Sequence, residues 1–97
     1  MNEDYLPVGS VVLLKEATRK IVIIGYAVRE EGSSEIWDYL GCAYPIGVIG
    51  SDKNLLFNKE QIHQVIFRGY LDEEGKKFQK DLIIDLEKIK NNGRYPL

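Results

Sequence analysis

The sequence predicts an α+β fold, in which a strongly bent antiparallel sheet is followed by one C-terminal helix. The first two thirds of the 97 residues contain short β-branched and aliphatic runs, separated by Gly, Pro and charged residues. The last third carries apolar residues at helical spacing. Gly25 interrupts the most apolar run, which is typical of a bulge or a sharp bend within a strand.

Five runs are predicted to form strands. They are Ser10–Leu14, Lys20–Val28, Ile36–Gly41, Leu55–Phe57 and Ile62–Tyr70. Alternation in the second run predicts Ile21, Ile23 and Ala27 on one face, and Val22, Ile24, Tyr26 and Val28 on the other. Because both faces are apolar, we expect this strand in the centre of the sheet, covered on both sides. In the fifth run, the same alternation predicts Val65 and Phe67 on one face.

The connections between these runs have the composition of turns. Arg29–Glu35 is charged and rich in Gly and Ser, and it is predicted to form an exposed hairpin loop. Cys42–Gly47 is predicted to form a turn, and Asn58–Gln61 one helical turn with Asn58 as its N-cap. Three glycines do not have the spacing of a phosphate-binding loop and are predicted to adopt positive φ in turns: Gly41, Gly47 and Gly50.

The last element is predicted to be an amphipathic helix that begins after Asp72, its N-cap. Its apolar stripe is formed by residues spaced 4, 4 and 3 apart: Phe78, Leu82, Leu86 and Ile89. Ile84 lies off this stripe, on the polar side. We therefore predict a single domain over residues 1–97, with a β-rich part over 6–70 and a helix over about 72–91. Closure of the sheet into a small SH3-like barrel is an alternative.

Composition excludes several classes of function. The formal net charge is −2, which does not favour a polyanionic partner, so we expect no nucleic acid and no membrane surface. One cysteine and one histidine exclude disulfides and Cys-rich or multi-His metal sites, and no cofactor motif is present. Neither a signal peptide nor a membrane span is found. We expect a cytoplasmic protein.

Three side chains invite a catalytic interpretation, and a structural one is favoured for each. His63 has no nucleophile motif around it, so a strand-edge position is expected. Cys42 has no cation or helix N-terminus near it in the sequence, which favours packing. Asp38 lies between Trp37 and Tyr39 in a strand, where a hydrogen-bonded carboxylate is expected. We predict no enzyme; a small hydrolase using Asp38 or His63 is a weaker alternative.

Apolar residues in positions where solvent is expected are the one positive signal. The segment Tyr44–Ile49 is apolar although it is predicted to be a loop, and Ile84 lies on the polar side of the helix. Contiguous exposed apolar surface often marks a protein interface. The predicted contacts are Trp37, Tyr44, Ile46, Val48 and Ile84. The alternative is that the loop folds back and caps the open end of the sheet.

An ordered set of motifs accompanies these features. They are Leu6–Leu14, Lys20–Gly25, Asp38–Gly47, Leu56–Asn58 with Ile62, and Val65–Tyr70. In this set the chain resembles a small family of domains of unknown function from Gram-positive bacteria, whose members are encoded beside type VII secretion genes and toxins with an N-terminal LXG domain. The resemblance covers roughly Leu6 to Phe78.

The resemblance implies an accessory protein rather than an enzyme. Such a protein would bind the helical LXG domain of a toxin, keep it soluble and support its export, alongside other small LXG-associated helical proteins. An alternative is an immunity protein that binds and inhibits the C-terminal domain of the toxin. The sequence also leaves open export with the cargo and a homodimer formed through the same apolar surface.

Overall fold

The computed structural model describes residues 5–29, 32 and 35–92. It contains five strands, two short 3-10 turns and one helix. The strands are β1 (Val11–Leu14), β2 (Lys20–Arg29), β3 (Ile36–Ala43), β4 (Leu55–Phe57) and β5 (Ile62–Phe67). The 3-10 turns are Ser51–Lys53 and Lys59–Gln61, and the helix is α1 (Glu73–Asn92). The predicted hairpin loop 29–35 falls mostly on residues outside those described.

The five strands form one antiparallel sheet in the order β4-β3-β2-β1-β5. The predicted α+β fold, a bent antiparallel sheet with one C-terminal helix, is therefore confirmed, and β2 is the central strand. Within the described part of the chain, β4 and β5 are not paired with each other. The sheet is therefore open, and the alternative of a closed barrel is not found.

The chain divides into two compact units. Leu6–Tyr70 forms one unit, which holds the whole sheet, while α1 belongs with Tyr5 to the second. No helix of the described part is both long enough and apolar enough to cross a bilayer.

Aromatic and aliphatic side chains on one face of the sheet form its core. Val12 pairs with Ile21, and Tyr39 pairs with Phe57, so their side chains share a face. All four are 8% exposed or less, as is Ile23. The ring centroids of Tyr39 and Phe57 lie 5.4 Å apart, which is within the range of favourable aromatic pairs.

A register shift in β2 changes the predicted alternation. Ile23 pairs with Gly41, and Gly25 pairs with the adjacent Leu40, so Ile24 is an extra residue. The predicted bulge near Gly25 is confirmed. The face assigned to Tyr26 was wrong: it pairs with Tyr39 and shares the face of Ile21 and Ile23, because the extra residue reverses the alternation beyond it.

Strand β5 is also shifted against β1. Val65 pairs with Val12, whereas Phe67 pairs with the adjacent Val11, so Val65 and Phe67 lie on opposite faces. The predicted shared face was wrong, because Ile66 is an extra residue in this register. The strand ends at Phe67 rather than at Tyr70.

Strand β3 runs two residues further than predicted. Cys42 and Ala43 belong to the strand rather than to a turn, and Cys42 is buried, which agrees with a packing role. Positive φ is confirmed for Gly47, at 86°, but not for Gly41 or Gly50. Gly41 lies inside the strand, where a Cβ would collide with the side chain of Ile21 and would lie 3.0 Å from the Phe57 ring.

Helix α1 begins at Glu73, and the Asp72 carboxylate accepts a hydrogen bond of 3.0 Å from the Gly75 N–H, which confirms the predicted N-cap. The buried side differs from the predicted stripe. Gln79 is 8% exposed and Phe78 is 55% exposed. One residue turns the helix by about 100°, so a stripe that passes through Gln79, Leu82 and Leu86 leaves Phe78 outside it.

Candidate protein-binding surface

The loop that follows β3 exposes apolar side chains. The exposed fractions are 45% for Tyr44, 54% for Ile46, 58% for Val48 and 65% for Ile49. The loop does not fold back to bury them. Four exposed apolar side chains within six residues make this segment the most concentrated apolar part of the loops in the described chain.

Backbone hydrogen bonds fix the start of this loop. The Gly47 N–H donates to the Ala43 carbonyl at 2.8 Å, and the Tyr44 N–H donates to the Lys20 carbonyl at 3.0 Å. The Tyr44–Pro45 peptide bond is cis. Gly47 lies in the left-handed region, where a side chain would strain the backbone. The turn therefore holds Tyr44 and Ile46 at the end of β3.

Leu55 extends the same surface. Gly41 pairs with Leu55, and Ala43 bridges to Gly47, so Leu55 and Gly47 flank β3 on one side, about 7 Å apart along the strand. Leu55 is 40% exposed. We define the apolar corner as Tyr44, Ile46, Val48, Ile49 and Leu55. Sequence reasoning missed Leu55 as a contact because a residue in an apolar strand is expected in the core.

Basic side chains border the apolar corner. The ammonium group of Lys20 lies 5.7 Å from the centroid of the Tyr44 ring, within the range of a cation–π interaction. Lys20 is the first residue of β2, and the turn that joins β1 to β2 carries exposed Lys15 and Arg19. These three basic residues lie within six residues of the sequence, and the strand pairing places them at the end of the sheet where the loop after β3 begins.

Of the other two predicted contacts, one is on β3 and one is on α1. Trp37 is near the start of β3, about 20 Å along the strand from Ala43. It is partly buried, and within the described part of the chain its indole N–H has no hydrogen-bond partner. Ile84, which is 45% exposed, belongs to the helical unit. Tyr44, Ile46 and Val48 are thus the predicted contacts that form part of the apolar corner.

The Asp38 carboxylate holds two segments of backbone together. It accepts a hydrogen bond of 2.8 Å from the Lys59 N–H, while the Asp38 N–H donates to the Asn58 side chain at 2.9 Å. This reciprocal pair joins β3 to the 3-10 turn before β5. His63 is exposed on β5, and β2 and β1 separate that strand from β3. Asp38 therefore has a structural role in this fold.

No three His, Cys, Asp or Glu side chains among the described residues are grouped in a way that would hold a metal ion.

Among the described residues, Tyr39 has a pKa well above the ordinary value of a tyrosine. Burial raises the pKa of Tyr39 to about 12, because the phenolate would lose its hydration in the core; the hydrogen bond that Leu6 N–H donates to the hydroxyl opposes this rise in pKa. The Tyr26 hydroxyl similarly accepts a bond of 3.1 Å from the Val8 N–H. The two hydroxyls attach residues 6–8 to the sheet.

The raised pKa of Tyr39 predicts a loss of stability at alkaline pH. The folded state holds the phenol proton of Tyr39 more tightly than the unfolded state does. The resulting stabilisation is therefore fully present below pH ~10, the pKa of tyrosine in the unfolded state, and is lost as pH rises to about 12. We expect the free energy of unfolding to fall by about 2–3 kcal/mol over this interval. Urea unfolding at several pH values measures this fall in the free energy of unfolding. Tyr39→Phe should remove this step, and Tyr70→Phe, at an 82% exposed position, should retain it; a step that persists in Tyr39→Phe contradicts the assignment.

Comparison with known proteins gives one match. The family described as "Domain of unknown function (DUF4176)" matches residues 5–78. The matched region contains all five strands and the start of α1. Neither the curated proteins nor the solved structures gave a match.

Proposed function

The chain belongs to the DUF4176 family, and we propose that it is a non-catalytic, cytoplasmic adaptor or targeting chaperone. Its client is the helical N-terminal LXG domain of a type VII secretion toxin, whose export it supports. The client connection rests on the resemblance carried by motifs such as Asp38–Gly47 and Val65–Tyr70.

The exposed apolar corner is the observation that carries this proposal. Tyr44, Ile46, Val48 and Ile49 each leave about half or more of their surface open to solvent, and Leu55 lies beside them. An amphipathic helix that docks on such side chains removes its own apolar face and theirs from water, at about 25 cal/mol for each Å² buried. The hydrogen-bonded turn keeps the corner in place before binding, which reduces the entropy lost on association.

Polar substitutions in the corner are expected to abolish most of the binding. The double variant Ile46→Ser/Val48→Ser removes two apolar side chains that are 54% and 58% exposed, so folding should be little affected. We expect affinity for the LXG domain to fall about 100-fold, because full burial of an aliphatic side chain contributes about 1.5–3 kcal/mol and about half of each of these two is still exposed before binding. Titration calorimetry with the purified LXG domain measures the change.

Val8→Ser/Ile66→Ser is the matched control. It makes the same two chemical changes, at positions that are 48% and 41% exposed and lie outside the corner. Equal losses of affinity in the two double variants would contradict a binding site at the corner. Trp37→Ala and Ile84→Ser test the remaining predicted contacts in the same assay.

Truncated toxins test the function itself. Binding to the LXG domain alone supports the adaptor role. Binding to the C-terminal domain alone, with loss of its toxicity, would replace the adaptor by the immunity protein. Failure of a folded protein to bind either part would overturn the proposal.

A further inference from the structure

The β1–β2 hairpin carries unpaired positive charge. Its segment Lys15–Lys20 contains three basic side chains and one acidic side chain, Glu16, all of them exposed. None of the three basic groups forms an ion pair with another residue in the described part of the chain. This local excess contrasts with the net charge of −2 for the whole sequence.

The strand register places this hairpin beside the apolar corner. Leu13 pairs with Lys20, and Ile21 pairs with Ala43, so the hairpin and the loop after β3 leave the same end of the sheet. The bond from the Tyr44 N–H to the Lys20 carbonyl continues this register by one residue. Adjacent strands are about 4.8 Å apart, so Arg19 borders the corner and Lys15 lies one strand further out.

The opposite border of the corner has no such excess. The 3-10 turn Ser51–Lys53 presents exposed Asp52 and exposed Lys53, whose charges are opposite. On the hairpin side, the Lys20 ammonium next to the Tyr44 ring joins the positive border directly to the apolar surface. The surface is therefore apolar in the middle and basic along one side.

We infer that the segment bound at the apolar corner is an amphipathic helix with acidic side chains along one border of its apolar face. This inference rests on the proposed function and specifies which helix of the client docks. Asp or Glu on that border faces Lys15, Arg19 and Lys20, while a basic border would be repelled. Such charges at the rim of an interface mainly increase the association rate and select the partner and its orientation.

Charge reversal in the hairpin tests this inference on the intact protein. Lys15→Glu/Arg19→Glu should weaken LXG binding about 10-fold or more at low ionic strength, and the difference from the wild type should largely disappear in about 1 M salt, where the Debye length is ~3 Å. Arg29→Glu/Arg68→Glu makes the same charge change at exposed positions where β2 and β5 end, at the other end of the sheet from the corner, and should bind like the wild type. Equal effects of the two double variants would overturn the inference.

Two designed helical peptides separate this inference from the identity of the client. Both carry the same Leu-rich face, bordered by Glu in one peptide and by Lys in the other. We expect the Glu peptide to bind the wild type at least about 10-fold more tightly, and to lose that preference with Lys15→Glu/Arg19→Glu. If the LXG domain fails to bind but the Glu peptide is preferred, the proposed function fails and the inference stands. Equal binding of the two peptides, or tighter binding of a single-stranded oligonucleotide than of the Glu peptide, would overturn the inference.

Discussion

Replacement of Gly69 by alanine is expected to lower the free energy of unfolding by about 3 kcal/mol or more, one of the largest effects of any single methyl group in this chain. A Cβ at this position would lie 2.5 Å from the Val8 carbonyl oxygen and 2.9 Å from both the Gly9 carbonyl carbon and the Ser10 nitrogen. All three atoms belong to the backbone, so no side-chain rotation relieves the collision.

The backbone at Gly69 cannot retreat without losing other bonds. The Gly69 N–H donates to the hydroxyl of Ser10, which is fully buried, at 2.9 Å. The Ile23 N–H donates to the Ser10 carbonyl at 2.9 Å. Movement of either segment would therefore leave buried polar groups without partners, at about 1–3 kcal/mol each.

Gly50→Ala is the matched control for this prediction. Its Cβ would meet only the carboxylate oxygen of exposed Asp52, at 3.0 Å, and that side chain is free to rotate. We expect a change below about 1 kcal/mol. Urea denaturation of both variants measures the difference. A cost for Gly69→Ala no larger than that for Gly50→Ala would show that residues 8–10 are not held against Gly69.

Several residues in the motifs that carry the family resemblance have structural roles in this fold. Asp38 and Asn58 join β3 to the 3-10 turn, and the Tyr39 hydroxyl holds Leu6. Gly41 and Gly69 lie where another chain segment approaches closely. These motif residues therefore support the family resemblance through the contacts that hold the fold together. The motif Asp38–Gly47 also contains Tyr44 and Ile46 of the apolar corner, on which the proposed function depends.

The sequence predicted the elements better than their faces. Alternation and helical spacing correctly placed five strands and α1, because each pattern is local. Gly25 indicated the bulge in β2 but not which residue is the extra one, and nothing in the local composition marks Ile66 as an extra residue. One such residue reverses every side chain beyond it, which is why Tyr26 and Phe67 were assigned to the wrong faces.

The candidate site could be predicted in part. Apolar residues in a turn-forming segment indicated Tyr44, Ile46 and Val48 directly. Leu55 and the basic hairpin required the strand order, because Arg19 and Tyr44 are 25 residues apart in the sequence and become neighbours only through the pairing of β2 with β3. The three basic residues are close together in the sequence, but their position beside the apolar corner follows only from the assembled sheet.

Replacement of Phe57 by alanine is the second change for which we expect a large loss of stability. Phe57→Ala should cost about 3–5 kcal/mol of unfolding free energy, because Phe57 is fully buried and its ring packs 5.4 Å from that of Tyr39. Removal of the ring leaves a cavity that β4 cannot fill, since this strand is only three residues long and pairs directly with β3. Chemical denaturation followed by far-ultraviolet circular dichroism measures the loss.

Phe78→Ala makes the same change of side chain in the helix. We expect it to destabilise the protein less than Phe57→Ala does, which is the opposite of what the sequence pattern predicts. The helical stripe predicts Phe78 in the core, whereas Phe57 lies in a three-residue strand with little pattern of its own. The structure leaves Phe78 55% exposed, so its replacement should cost at most about 1 kcal/mol, and alanine offsets part of that through its higher helix propensity. If Phe78→Ala proved the more destabilising variant, the buried side of α1 would pass through Phe78 rather than Gln79, and the stripe expected from the sequence would be restored.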